Sequence, residues 1–382
     1  MIKIGITGQP GFVGTHLYNT FGLHPEQFER IPFEDEYFQD AQRLEKFVSQ
    51  CDAIIHLAAL NRHNDPQVIY ETNLRLVKQV IAACEATCST PHILFSSSTQ
   101  EERDNHYGQS KREGRELFER WAVKNNARFT GLIIPNIFGP FGHPYYNSVV
   151  ATFCHQLTHN ETPKIDVDGE IKLIYVGELV KEIIKHLQSH DKAIGNMDSR
   201  CQTIHVPHTS TIKVSALLQK LQGFKENYFE KGIIPSLDAP FERNLFNTFV
   251  CYINHSAFFP FPLKLNTDER GSFVETIKLN SGGQVSFSTT VPGITRGNHF
   301  HTRKAERFAV IKGKARIGIR RIGTDKVLSF DLDGSQPSFV DMPIWFTHNV
   351  TNIENEDLYI IFWISEQFNP SDPDTFYESV HN

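Results

Sequence analysis

The sequence predicts an α/β domain built on a Rossmann-type, doubly wound parallel sheet, followed by an all-β domain. Three observations predict this. At 382 residues the chain exceeds what one hydrophobic core usually organises. Its first half alternates short, continuous apolar runs with helix-length amphipathic segments, the pattern of a parallel sheet covered on both faces. After about residue 264 the texture changes to short β-branched and aromatic runs punctuated by glycine, at the spacing of a sandwich or barrel.

The opening run, residues 2–7, is an apolar strand that ends at Gly8. Gly8, Gly11 and Gly14, with Phe12 and Val13 between the last two, lead into a helical stretch at 15–21. Glycines there permit a tight turn, let the backbone approach a pyrophosphate and bring the helix close to the sheet. The helix N-terminus adds free amides and a partial positive charge. Residues 53–58, 93–98 and 130–135 supply further strands, while 66–85 and 107–124 repeat apolar side chains at three and four positions, as helices do. In the second half, residues 271–277, 284–290, 308–311, 315–321, 338–341 and 358–364 are the expected strands. The stretch 244–262, rich in Phe, Asn and Pro, shows no sustained period and marks a boundary between domains 1–245 and 246–382. Phe246, Phe249, Phe258, Phe259 and Phe261 are too apolar for a free linker, so this stretch is expected to pack between the domains.

A formal charge of −6 gives no general attraction to nucleic acid or anionic lipid, so any phosphate recognition must be local. The six cysteines are scattered, without a C-x-x-C pair, as expected of reduced thiols in a cytosol. No leader pattern opens the sequence, and no run approaches the roughly 20 apolar residues that cross a bilayer. A cytoplasmic protein without membrane insertion is expected.

Tyr107 and Lys111 lie four residues apart in a helical pattern, so they share one face. An ammonium beside a phenol favours the phenolate and would bring a pKa of about 10 towards neutrality. Ser96, Ser97 and Ser98 end the preceding strand, and His56, Leu57, Ala58 and Ala59 end an earlier one. The G-x-x-G-x-x-G turn, the Y-x-x-x-K pair and the serine run together resemble the extended short-chain dehydrogenase/reductase family. That resemblance implies a nicotinamide cofactor held by Gly8, Gly11, Phe12, Val13, Gly14, Leu57, Ala58, Tyr107 and Lys111. It implies Tyr107, Lys111 and Ser98 as the catalytic group, with Ser98 favoured over Ser97. Asn136 in Asn136-Ile-Phe-Gly139-Pro140 resembles the N-x-y-G-P of sugar-nucleotide members and is a substrate-site candidate; Arg62 is a further candidate for sugar or phosphate. The choice between NADP and NAD stays open locally: Glu34, Asp35 and Glu36 suit ribose hydroxyls, and Arg30 suits a 2′-phosphate.

With 18 histidines in the chain, spacing rather than presence carries any metal argument. His299 and His301, one residue apart on an expected strand, project to the same face, and Glu306 adds an oxygen ligand. The segment from Gly293 to Gly313 has the spacing of the first cupin motif, G-x5-H-x-H-x4-E-x6-G. His348 in P-x-x-x-x-H-x3-N resembles the second motif, with Trp345 where that pattern has glycine. A cupin barrel holding one divalent metal on His299, His301, Glu306 and His348 is implied. Imidazole and carboxylate suit zinc, iron, nickel or manganese, with zinc favoured.

Asp268-Glu-Arg270-Gly and Arg296-Gly-Asn-His299 are similar to segments of deoxysugar 3,5-epimerases, which makes Arg270 and Arg296 candidates for pairing substrate phosphate. Across nearly its whole length the chain resembles the two-domain epimerase-reductases of bacterial capsule and O-antigen synthesis in the UDP-N-acetyl-L-fucosamine route. The resemblance implies C3 epimerisation of a UDP-2-acetamido-2,6-dideoxy-4-hexulose by the cupin domain. NADPH-dependent C4 reduction to UDP-2-acetamido-2,6-dideoxy-L-talose would follow, in a homodimer. Two other readings stay open: a dehydratase or C4 epimerase that retains NAD beside an accessory cupin, and a non-catalytic redox or sugar sensor.

Overall fold

The computed structural model describes residues 1–188, 200–269 and 271–381. The chain divides into two compact units. One comprises Met1–Phe138, Gly142–Val149 and Glu170–Ile212; the other comprises Gly139–Phe141, Val150–Gly169 and Lys213–Asn382.

The first unit carries strands β1 (Ile2–Thr7), β2 (Phe28–Ile31), β3 (Ala53–His56), β4 (His92–Ser98), β5 (Phe129–Ile134) and β8 (Cys201–His205) in one parallel sheet of order β2-β1-β3-β4-β5-β8. Residues of β3 and β5 are buried throughout, which is why these runs read as continuously apolar rather than alternating. Side chains leave the two faces by turns. Ile54, Ile93, Phe95 and Phe129 meet Phe47 of α2 (Ala41–Gln50), Val77 and Val80 of α3 (Pro66–Ala86), and Phe118 of α4 (His106–Asn125). On the opposite face Ile4, Ile6, Ile55, Leu94 and Leu132 meet Leu17 and Phe21 of α1 (Phe12–Gly22) and Leu179 and Ile183 of α6 (Val176–Gln188). The chain leaves β1 outward to β2 and then crosses back to β3, so the strand order reverses between β1 and β3. In such sheets the crevice at the carboxyl ends of those strands is where ligands bind.

The second unit holds two antiparallel five-stranded sheets. One has the order β11 (Phe261–Pro262), β20 (Ser338–Met342), β17 (Glu306–Lys312), β22 (Leu358–Ile364), β15 (Gln284–Thr290). The other has the order β19 (Val327–Asp333), β18 (Lys314–Arg321), β21 (Phe346–Asn352), β16 (Thr295–Phe300), β23 (Phe376–Tyr377). Ala309, Val310, Ile317, Ile319, Val340, Val350, Leu358 and Ile360 form the core of this cupin-like barrel. Strands β19 and β21 are additions to the expected set. Six of the seven residues of β21 are buried, which removes the alternation that marks a half-exposed strand.

The stretch 244–262 is not structureless. Helix α8 (Pro240–Val250) runs into it, with proline at its first turn and Leu245, Phe246 and Phe249 buried. Phe246 packs on Tyr228 at a ring distance of 4.9 Å, and Phe261 stacks on Phe339 of β20 at 4.9 Å. These aromatics therefore pack within the second unit, and the compact units divide between Ile212 and Lys213 rather than near residue 245. Among the described residues no helix is long and apolar enough to cross a membrane, and the six cysteines form no disulfide.

Candidate functional site

A cleft of about 1020 Å³ opens at the carboxyl ends of β1, β3, β4 and β5 in the first unit. Gly8, Gly11, Phe12, Val13 and Gly14 line it, as do Leu57, Ala58, Ser98, Tyr107, Lys111 and Asn136. Gly8 and Gly14 are sterically required. Gly8 has φ +72°, and a Cβ on Gly14 would lie 2.4 Å from the Gly8 carbonyl oxygen. The start of α1 is thereby pressed onto the strand-to-helix turn, with its unbonded amides facing the cleft.

Alternation along β4 separates the three serines. The Ser96 hydroxyl donates to the His56 carbonyl at 3.1 Å, and the Ser97 hydroxyl turns the other way, to the buried Glu101 carboxylate that Arg115 also clamps. Ser98 accepts from the Gln100 amide at 3.2 Å as the cap of a short 3-10 turn. A hydroxyl has two acceptor lone pairs and one donor, so its O–H stays available to the cleft. Helix α4 begins at a cap in which Asn105 accepts from the Gly108 amide at 2.8 Å. That places Tyr107 in its first turn and Lys111 one turn later.

The electrostatics depart from the expected lowering of the phenol. Burial, and next the neighbouring Tyr146, push the Tyr107 phenol up to about 12. The Lys111 ammonium is itself buried, donates to the Ser96 carbonyl at 2.9 Å and lies 5.7 Å from the centre of the Tyr107 ring. Burial brings its pKa down to about 8, opposed by Glu101. Desolvation is thus the leading cause of both shifts, and Tyr107 stands as a neutral phenol. Beneath them the buried His56 shares a 2.9 Å hydrogen bond with Thr7 through Nδ1, and burial, then Lys111, bring its pKa down to about 3.

Asn136 reaches the Lys172 carbonyl at 3.2 Å from the cleft wall. Arg62 is exposed, stands outside the cleft lining and donates to the Tyr145 carbonyl at 2.9 Å, bracing the segment 142–148 that does line it. Arg30 is likewise not in the lining: its guanidinium lies over the Tyr18 ring at 4.2 Å. Of the three acidic residues that follow β2, Asp35 lines the cleft, and burial, then Glu36, raise its pKa. Tyr145 and Tyr146 were missed by sequence reasoning, since no spacing ties this segment to the distant strand ends it meets.

In the second unit His299, His301, Glu306 and His348 bring one donor atom each within 4.8 Å of one another, and no other such group of three or more His, Cys, Asp or Glu occurs among the described residues. Strand pairing sets His299 opposite His348. The His301 Nδ1–H faces the Asp374 carbonyl oxygen at 2.5 Å, and His348 Nδ1 faces the Phe346 carbonyl at 3.3 Å. With those nitrogens assigned as donors, both Nε2 lone pairs face the cluster. His301 Nε2 and His348 Nε2 lie 3.4 and 3.0 Å from Glu306 Oε2, yet these buried atoms lack the alignment of a hydrogen bond. Burial opposes charge on Glu306, but the two imidazoles outweigh it and hold the carboxyl well below its usual range. Burial, with His348 and His301, brings His299 down to about 4. A buried carboxylate, three imidazoles and orphaned inward-facing atoms fit a divalent cation. Trp345, in the glycine position of the second motif, has φ +62°, so the left-handed backbone persists without the glycine.

Arg296 lies outside this cluster, three residues before His299, and donates to the Thr289 carbonyl at 3.3 Å. Arg270 lies outside the described residues. Sequence reasoning also missed Asp374, a buried residue 73 positions from His301.

Comparison with known proteins agrees with this fold. The model of the NAD dependent epimerase/dehydratase family matches residues 4–197, and that of the polysaccharide biosynthesis C-terminal domain matches residues 266–376. The chain is 32% identical over 388 residues to a UDP-2-acetamido-2,6-beta-L-arabino-hexul-4-ose reductase of Pseudomonas aeruginosa, with 99% of each chain covered. The crystal structure of the capsular polysaccharide assembling protein CapF from Staphylococcus aureus superimposes with a TM-score of 0.62 at 32% identity, covering 99% of this chain and 100% of its own. RMD from Pseudomonas aeruginosa, complexed with NADPH, shares the fold over 59% of this chain and 84% of its own, at 20% identity and a TM-score of 0.52. The chain is an enzyme of the NAD dependent epimerase/dehydratase family, in the branch that carries a polysaccharide biosynthesis C-terminal domain.

Proposed function

We propose that this enzyme epimerises C3 of a UDP-2-acetamido-2,6-dideoxy-4-hexulose at the barrel cluster and reduces C4 with NADPH in the cleft, giving UDP-2-acetamido-2,6-dideoxy-L-talose. The observation that carries the reading is the convergence of Ser98, Tyr107 and Lys111 on the cleft that the glycine turn opens. Full-length identity of 32% to a relative named for reducing a hexul-4-ose supports the substrate class. The proposed division of labour is supported by the two compact units: the cleft residues fall in the first and the cluster residues in the second. The setting is cytoplasmic and the assembly a homodimer.

The nicotinamide, when bound, supplies the hydride. Tyr107 carries the proton. Its raised pKa keeps the phenol protonated at neutral pH, the state required to donate to the C4 oxygen as charge builds there. Ser98, whose O–H is not used by the Gln100 amide, stabilises the same oxygen. Lys111 then lowers the cost of the phenolate left behind. In the barrel His299, His301, Glu306 and His348 would hold one divalent ion, with zinc favoured, and its contribution when bound is Lewis acidity towards the ketone oxygen. The C4 ketone acidifies the C3 proton, so inversion precedes reduction. Asn136 on the cleft wall is a proposed substrate contact, as are Arg270 and Arg296 by their resemblance to epimerase segments; Arg62 acts through the segment it braces.

The test is a pair of variants given UDP-4-keto-6-deoxy amino sugar in D₂O with NADPH. Tyr107→Phe is expected to lose NADPH oxidation and retain deuterium uptake at C3, and His299→Ala to lose the C3 exchange. Loss of both activities in each variant, with the fold intact, contradicts two separate sites.

A further inference from the structure

We propose that the C-terminal segment 372–380 is the outer layer that sets the geometry of the barrel cluster, with Asp374 as the positioning residue for His301. The inference rests on the reading of that cluster as a metal site. Residues of this segment bond within two positions of every cluster member. Phe376 and Tyr377 pair with Phe300 and His299 as the edge strand of their sheet. The Glu378 amide donates to the Asn298 carbonyl at 3.0 Å, and Thr347, next to His348, donates its hydroxyl to the Glu378 carbonyl. Lys304, two residues before Glu306, donates Nζ to the Pro373 carbonyl at 2.9 Å.

Asp374 makes the densest set of these contacts. Its carbonyl oxygen faces His301 Nδ1 at 2.5 Å, which orients the ring and leaves Nε2 to the cluster. Its buried carboxylate takes four donors: the Thr302 amide at 3.1 Å, the Thr302 hydroxyl at 2.6 Å, the Arg303 amide at 3.0 Å and the Lys304 amide at 3.1 Å. One side chain thus fixes the turn between His301 and Glu306 while its own backbone fixes the imidazole. The residue sits at φ +44°, a left-handed conformation that Asp and Asn adopt more readily than other side chains. Arg320 anchors the far end of the segment through the Val380 carbonyl at 3.0 Å and the Ser379 carbonyl at 2.6 Å. The segment adds an edge strand to its sheet but contributes no residue to the barrel's apolar core cluster.

The test is Co²⁺ binding to the full-length protein stripped of metal, measured by competition with a chelator and by the visible absorption of the bound ion. Asp374→Ala is expected to weaken Co²⁺ binding by about 10- to 100-fold and to change the absorption bands. Asp374→Asn keeps an acceptor oxygen and tolerates the backbone, so it is expected to lose less. Leu332→Ala, which opens a hole in the barrel core, is the control for stability alone: it should lower the melting temperature without moving the affinity. Wild-type affinity and spectrum in Asp374→Ala, or equal losses in Asp374→Ala and Leu332→Ala, would overturn the proposal. Absence of Co²⁺ and Zn²⁺ binding by the wild type overturns the metal reading beneath it, a distinct result.

Discussion

Tyr107 shows how environment decides the role of a residue that spacing alone identifies. Its separation from Lys111 marks the pair in the sequence, but the direction of its pKa follows from burial, which a linear pattern does not display. Tyr107→Phe is expected to lower kcat for NADPH oxidation by about 10²- to 10⁴-fold, with cofactor affinity measured by fluorescence near wild type. Asp35 lines the cleft just beyond β2, and its carboxylate would oppose a 2′-phosphate in that region. Asp35→Ala is therefore expected to shift the ratio of NADPH to NADH affinity towards NADPH by about tenfold, or ~1.4 kcal/mol, read by titration with each cofactor. Two buried histidines contribute to the acid response of the first unit. Burial, then nearby cations, bring His56 and His92 down to about 3, so both stay neutral in the folded chain while the unfolded chain takes up protons near its ordinary value of about 6.5. Stability is intact above that value and falls as pH drops towards 3, by about 1.4 kcal/mol per pH unit for each group within the window. Melting curves between pH 7 and 4 should show the slope, and His92→Gln should reduce it by about half, leaving the share of His56.

Among the elements, legibility followed exposure and range. Strands β1, β4 and β5 and helices α3 and α4 stood out because apolar runs and three-four periodicity are local signals. The cofactor turn was legible for the same reason: its glycines are close in sequence and answer one steric demand. Gly14→Ala would place a methyl 2.4 Å from the Gly8 carbonyl, so loss of cofactor binding by more than about tenfold is expected in calorimetry, with the barrel unaffected. Strand β21 was hidden because nearly all of it is buried, and α8 because asparagines interrupt its apolar face. Metal-cluster spacing was legible in His299, His301, Glu306 and His348, but Asp374 was not, since the fold brings it to His301 across 73 residues. Arg62 was chosen for its charge just beyond β3 and Arg296 for its resemblance to an epimerase segment, and both donate to backbone carbonyls, at Tyr145 and Thr289.

For the molecule as a whole, the aromatic stretch 244–262 binds helices to barrel within the second unit rather than acting as a tether, so cutting the chain at residue 245 would split α8. A cut between Ile212 and Lys213 does not separate the units either, because the second one includes Val150–Gly169 from the middle of the chain. Val285 and Phe287 stand 59% and 72% exposed on the edge strand β15, a surface suited to self-association. Light scattering should give twice the 43.7 kDa chain mass for the wild type and the single-chain mass for Phe287→Asp.

Hydride delivery in the cleft is the claim on which the functional reading turns, and isotope transfer tests it without intermediaries. NADPH carrying deuterium at the transferable C4 position should yield a sugar product whose C4 holds the label, seen by NMR, with stoichiometric NADP⁺. A product formed with no deuterium at C4, or turnover of the sugar without consumption of NADPH, would contradict reduction at this site.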